Sequence, residues 1–240
     1  MPANLNSERL KWTSNGPPSE REQLIEVSVF LFLILPSMVL SLFAVRQGSL
    51  NFLLVASATI LRDLGLLSLI FFFLWRNGES ASRIGWTFRN GWREIAIGLS
   101  LFIPFLILAN LLDRGFQAVG FSAPSTPLPS YLTVRDVAQV LLACVLVPVV
   151  ALAEETIFRG YLILRLKAAT GSPVAAALLS SALFSLGHGY EGSAGVISVG
   201  MVGVALAFVY MWRQSLVAAV VMHFLQDFVG IILVPLLVKG

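Results

Sequence analysis

Between residues 24 and 236 the chain is a succession of apolar runs, each close to the ~20 residues that a helix needs to cross a bilayer. Such a run spans lipid as a helix, because hydrocarbon offers no water to satisfy backbone N–H and C=O groups. The runs fall at roughly 24–45, 50–75, 94–112, 134–165, 173–190, 193–212 and 215–236. They predict an all-α fold, a polytopic transmembrane helical bundle with about seven spans. Only 12% of the residues are charged, whereas soluble domains carry about 25%, so too little polar surface remains to coat a water-soluble globule. Pro36, Pro104 and Pro148 lie inside runs, where membrane helices tolerate proline. The fourth run is long enough to bend or to continue past the bilayer as helix. No internal repeat suggests a transporter built from inverted halves.

The basic residues between runs set the expected topology. Arg9, Lys11, Arg21, Arg76, Arg83, Arg89, Arg93, Arg159, Arg165, Lys167 and Arg213 fall on one side, eleven in all, against Arg46, Arg114, Arg135 and Lys239 on the other. This bias predicts a cytoplasmic amino terminus; the short compact chain suggests an integral membrane protein of a bacterial cytoplasmic membrane. The first run is read as a span rather than a cleavable signal, since a long polar stretch precedes it and it exceeds a signal's apolar core. The basic residues form no stripe, so nucleic acid is not an expected partner; the lipid bilayer is. A lone cysteine, Cys144, excludes a disulfide framework. Residues 76–93 interleave Arg83, Arg89 and Arg93 with Trp86, Phe88 and Trp92, a composition suited to the headgroup layer. Pro124, Pro127 and Pro129 predict an irregular outer loop over 121–130. The expected organisation is a cytoplasmic segment (1–23), N-terminal transmembrane helices and linkers (24–133), and a transmembrane core that carries chemistry (134–236).

Ionisable groups inside a span are costly and need a partner or a purpose. In Glu154-Glu155-Thr156-Ile157-Phe158-Arg159, Glu155 and Arg159 stand at i, i+4 and share a helix face. Glu154 is rotated by about 100° from Glu155, so the same arginine does not neutralise it, and it is left available for general acid or base work. The two histidines, His188 and His223, both lie in apolar runs, and His223 stands four residues before Asp227. A carboxylate there can orient the imidazole. At about 1.5 Å per residue, Glu154, His188 and His223 lie roughly 18, 22 and 12 Å from the expected cytoplasmic ends of their helices, all within the hydrocarbon layer. Small residues (Ala175, Ala176, Ala177, Ser180, Ser181, Ala182, then Gly195, Gly200, Gly203, Ala207) allow these helices to pack closely. Arg62 and Asp63 are adjacent, do not face one another, and are read as structural or snorkelling. Glu191 falls at the outer rim.

Glu154-Glu155-x-x-x-Arg159, then Phe184-x-x-x-His188, then His223-x-x-x-Asp227 resemble the three ordered motifs of the CPBP family, the CAAX-prenyl-protease-2 and bacteriocin-processing membrane proteins also called Abi. The resemblance covers roughly residues 134–236, with Gly85 to Arg93 similar to the family's upstream linker. It implies an intramembrane endopeptidase. By that resemblance Glu154 would activate a water, assisted by His188; His223 and Asp227 would stabilise the tetrahedral intermediate; and Glu155, Arg159 and Phe184 would support the constellation. The family's last motif commonly ends in Asn; Asp227 instead can orient His223, bind a metal or carry a proton. A zinc site of His188 and His223 with Glu154 or Asp227 is possible, but no H-E-x-x-H is present, and a mechanism without any required cofactor is favoured. The expected substrate is a membrane-associated peptide or protein. A proton-coupled transporter, with the same residues as a relay, and a non-catalytic membrane scaffold are the alternatives.

Overall fold

The computed structural model describes residues 18–46, 51–88, 90–122, 134 and 136–238. Among them helix is the only regular secondary structure. Helices α1 (Glu20–Arg46), α2 (Phe52–Arg76) and α3 (Gly91–Ala118) precede a long continuous helix. That helix begins as α4 (Val137–Glu154), widens to a π-helix over Glu155–Leu162, and returns to α geometry as α5 (Ile163–Thr170). Next come α6 (Pro173–Leu186), α7 (Gly192–Arg213) and α8 (Val217–Asp227); a second π-helical stretch (Phe228–Leu233) leads into α9 (Val234–Val238).

Local chemistry sets the boundaries. Asn51 and Asp136 cap α2 and α4 by accepting hydrogen bonds from the backbone N–H of Leu54 and Gln139, each at 2.8 Å. The turn into α6 has Gly171 at φ +68°, Ser172 capping the Ala175 N–H, and Pro173 in the first turn. Pro104 and Pro148 sit inside continuous helices, as expected.

Among the described residues, five helical segments are long and apolar enough to cross a membrane: Phe52–Arg76, Gly91–Ala118, Val137–Thr170, Gly189–Arg213 and Val217–Leu237. The expected span at 24–45 lies within α1. The expected span at 173–190 is a correction, because α6 has only 14 residues, about 21 Å of helix. Its end coincides with Gly187-His188-Gly189, where the chain turns through a short 3₁₀ segment into α7. The overlong fourth run does continue as helix, to Thr170. The proline-bearing loop lies outside the described residues.

Close approach between helices depends on glycine at a few places. A Cβ on Gly98 of α3 would lie 2.8 Å from the Ala218 carbonyl oxygen of α8. One on Gly203 of α7 would lie 3.2 Å from Ser181 Cβ and 3.4 Å from the Arg159 guanidinium. The small-residue faces of α6 and α7 thus meet, as the sequence predicts, with Ala176, Ala177, Ser180, Ser181 and Ala207 buried.

Two expectations about basic residues are corrected. Arg159 and Arg165 are not loop charges, since each is only 1% exposed. Arg165 pairs with Glu79 and, at 3.1 Å, with Glu26. Arg76 and Asn77 also reach Glu26, at 2.6 and 2.7 Å, and Arg83 reaches Glu79 at 2.7 Å. This buried network ties α1, the end of α2 and α5 together, because charges removed from water need such partners. Nor is the whole 76–93 connection interfacial. Ile84 is buried, Gly85 accepts a hydrogen bond from Leu216 N–H at 2.9 Å, and Trp86 Nε1 donates to Thr156 Oγ1 at 3.1 Å. Phe88 and Trp92 do remain exposed.

Candidate active site

The α-to-π transition comes directly after Glu154, and all eight residues from Glu155 to Leu162 are buried. π-helical stretches often occur at functional sites, where they shift the faces of a helix relative to one another. Glu155 turns inward here and reaches Arg159 NH1 at 2.9 Å, with the two side chains 0% and 1% exposed. The i, i+4 pair read from the sequence therefore forms. The guanidinium carbon of Arg159 also lies 4.2 Å from the centroid of the Phe184 ring, a favourable placement of a cation over an aromatic face.

His223 comes from α8 and is held from across the bundle. Its Nδ1 is 2.8 Å from Glu155 Oε1, the same oxygen that meets Arg159. A carboxylate paired with an arginine accepts hydrogen bonds, which fixes the proton on Nδ1 and aims Nε2 the other way. Nε2 faces Glu154 Oε2 at 3.7 Å and Asp227 Oδ2 at 3.6 Å. Those gaps exceed direct hydrogen bonds. Glu154 and Asp227 stay partly open, at 17% and 22% exposure, while Glu155 is closed off. Two carboxylates thus flank the free imidazole nitrogen on the accessible side, and a third anchors the ring from the buried side.

Phe184 joins the parts from α6. Its ring lies 5.1 Å from Phe158, edge-on, 6.0 Å from His223 and 4.9 Å from His188. Ser180, one turn earlier, donates its hydroxyl to the Phe158 carbonyl within the π-helix. That bond satisfies a backbone group that the altered helical ladder leaves available.

The structure brings Glu154, Glu155, Arg159, Phe184, His223 and Asp227 together. His188 is more distant: its Nδ1 is 3.3 Å from the Phe184 carbonyl and its ring lies 6.0 Å from Tyr190. No hydrogen bond or ion pair joins it to Glu154, although it is near enough to Asp227 for their charges to interact. Glu191 also acts electrostatically on Asp227. Among the described residues no three or more His, Cys, Asp or Glu side chains are gathered so as to hold a metal ion. The suggested ligand set of both histidines with Glu154 or Asp227 does not form such a group.

One group escaped the sequence reasoning. Asp63 of α2 is 1% exposed, and Arg62 Nε reaches its Oδ1 at 2.9 Å. The expectation that these neighbours do not face one another is thus corrected, because arginine's long arm folds back along the helix. Asp63 also lies close enough to Glu154 and His223 for their charges to interact. The available signal was its position in the inward stripe Ala56, Ile60, Asp63, Leu67, Ile70, otherwise wholly apolar.

Residues 135–229 match the model of a family described as type II CAAX prenyl endopeptidase Rce1-like. The matched segment contains all three motifs and bears out the resemblance to CPBP-family membrane proteases. No curated protein and no solved structure matches the chain.

Proposed function

From the premise that residues 135–229 resemble a CAAX prenyl endopeptidase family, we propose that this chain is an intramembrane endopeptidase using Glu154 as its base. The observation that carries the reading is the placement of His223 between a closed carboxylate at Nδ1 and two open ones at Nε2. Glu154 takes a proton from a water as the water oxygen adds to the scissile carbonyl carbon. The same carboxyl returns that proton to the departing amine nitrogen as the C–N bond breaks. His223, charged through its carboxylate neighbours, donates from Nε2 to the oxyanion, and Asp227 steadies that charge. His188, from the end of α6, assists at the open edge through Asp227. Glu155 and Arg159 are positioning residues that keep the imidazole aimed.

The substrate class is a membrane-associated peptide or protein, since the open carboxylates lie among helices whose outer surfaces are apolar. No metal or other cofactor is required on this reading. Chelation of the purified protein leaves turnover intact; loss restored by zinc would overturn that part. The central test compares newly formed protein termini in membranes containing the wild-type chain, Glu154→Gln or His223→Ala. Termini should arise with the wild type alone, with both variants folded. The same termini with Glu154→Gln, or none with the wild type, would refute the proposal.

A further inference from the structure

Between α2 and α3 a short 3₁₀ turn, Ala81–Ile84, ends at Gly85. The two residues that follow Ile84 bond to two different helices of the site. The Gly85 carbonyl accepts from Leu216 N–H at 2.9 Å, which satisfies a donor at the head of α8 that has no partner within its own helix. Trp86 Nε1 donates to Thr156 Oγ1 at 3.1 Å. Thr156 is buried, directly follows Glu155, and donates its own hydroxyl to the Leu152 carbonyl of α4 at 2.6 Å. The bond from Trp86 therefore braces the α-to-π step with Glu154 and Glu155 inside the braced turn. Gly160 shows how closely the three elements meet. A Cβ there would lie 2.7 Å from the Ile84 carbonyl oxygen and 3.4 Å from Leu216 Cδ1. Gly85 is equally constrained: its φ is +89°, and a Cβ would lie 2.5 Å from the Tyr210 ring.

We propose that Ile84-Gly85-Trp86 is a strap that sets the register between the helix bearing Glu154 and Glu155 and the helix bearing His223, with Trp86 a positioning residue acting through Thr156. The proposal rests on the hydrolytic reading above, and it gives a role to a segment outside residues 135–229. His223 lies seven residues after Leu216, two turns along the same face of α8. Glu155 lies one residue before Thr156. The 2.8 Å contact of His223 Nδ1 with Glu155 Oε1 thus has an anchor close by on each helix, and adjacent residues of one strap join the two anchors. Apolar side chains of α4 and α8 hold these helices together through Ala143, Leu146, Val147 and Phe224. Such packing has no direction, whereas hydrogen bonds weaken steeply with distance and angle. The strap's two bonds accordingly resist a slide that packing alone tolerates. Trp86 touches no reacting atom; it keeps the imidazole and the two carboxylates in step.

The test uses the full chain in proteoliposomes and a quenched fluorescent peptide spanning a cleavage site defined by the terminus comparison. Trp86→Phe keeps a ring in place and removes the Nε1 donor; Thr156→Val keeps the shape and removes the hydroxyl. Each should lower kcat at least ~10-fold with KM within about twofold, since a misplacement of ~1 Å from a distant change can cost ~100-fold. The double variant should fall no further than the worse single one. Thr156→Ser should recover most of the loss seen with Thr156→Val, and that pair decides the same point where Trp86→Phe does not fold. Asn51→Ala removes a cap at the end of α2 far from the strap; it loses comparable stability and should keep kcat within about twofold. Losses that multiply in the double variant would overturn the proposal, as would a loss confined to KM. So would strap variants that lose no more kcat than Asn51→Ala for the same fall in melting temperature. Turnover by Glu154→Gln would instead overturn the hydrolytic reading on which this one stands.

Discussion

Glu155 offers the sharpest perturbation, because one of its oxygens meets two cationic or hydrogen-bonding partners at once. Oε1 lies 2.9 Å from Arg159 NH1 and 2.8 Å from His223 Nδ1. Glu155→Gln keeps the side chain's shape but removes the charge, leaving a guanidinium that is 1% exposed and, among the described residues, has no other carboxylate paired with it. Breaking a buried pair from one side costs about 3–5 kcal/mol, since the stranded charge remains desolvated. At ~2–4 °C per kcal/mol for a chain of this size, the melting temperature should fall by about 6–20 °C. A second variant separates folding from function. Glu155→Leu with Arg159→Met removes both charges and fills the space with apolar atoms, a replacement that often restores or exceeds the stability of a buried pair. The double variant should therefore melt near the wild type and yet remain inactive, because nothing then fixes the Nδ1 proton of His223. Thermal unfolding in detergent, followed by tryptophan fluorescence, and peptide turnover give the two readouts. A melting temperature within about 2 °C of wild type for Glu155→Gln would refute the energetic argument. Turnover by the double variant would refute the positioning role.

Three further outcomes follow from packing. Gly98→Ala should destabilise by about 1–3 kcal/mol, because its Cβ would stand 2.8 Å from the Ala218 carbonyl; thermal melting checks this against Gly65→Ala, where nothing lies within 4 Å and a gain of about 0.5–1 kcal/mol is expected. Gly203→Val should lower turnover as well as melting temperature, because the added atoms press on Phe184 and Arg159; unchanged kinetics would contradict the close fit of α7 to the site. Trp86→Phe should cost about 1 kcal/mol through the lost bond to Thr156, and Thr156→Val in the same background should add little, which a double-mutant cycle measures.

The parts of the site legible in the sequence were those whose spacing lies within one helix. Glu155 with Arg159 and His223 with Asp227 follow from helical periodicity alone, and the apolar context marks each as costly. What periodicity does not supply is a partner on another helix. The sequence assigned the orientation of His223 to Asp227, its neighbour by one turn; the structure gives Nδ1 to Glu155 on the π-helix and leaves Asp227 facing Nε2. The burial of Asp63 was missed for the same reason, since it follows from the packing of α2 against other helices. The π-helix itself carries no residue signal, because Thr156, Ile157 and Phe158 suit α geometry equally well. Arg165 was misread for a different reason. A basic residue near the end of an apolar run looks like a topology charge until Glu26 and Glu79 arrive from elsewhere in the chain.

The shortness of α6 has a consequence for the surrounding lipid. Gly200 and Gly203 of α7 lie opposite Ser185 and Ser181 of α6, so the first residues of α7, from Gly192 onward, run past the end of α6 at Leu186. On that flank α6 covers about 21 Å, against a hydrocarbon layer of about 30 Å. Acyl chains beside it must compress or leave the turn at 187–191, with its polar backbone and His188, in contact with headgroups and water. Hydrophobic mismatch of this kind costs fractions of a kcal/mol per Å and sorts proteins among membranes of different thickness. The short flank is therefore also a gauge of bilayer thickness: lengthening the acyl chains raises the mismatch beside α6, and shortening them lowers it.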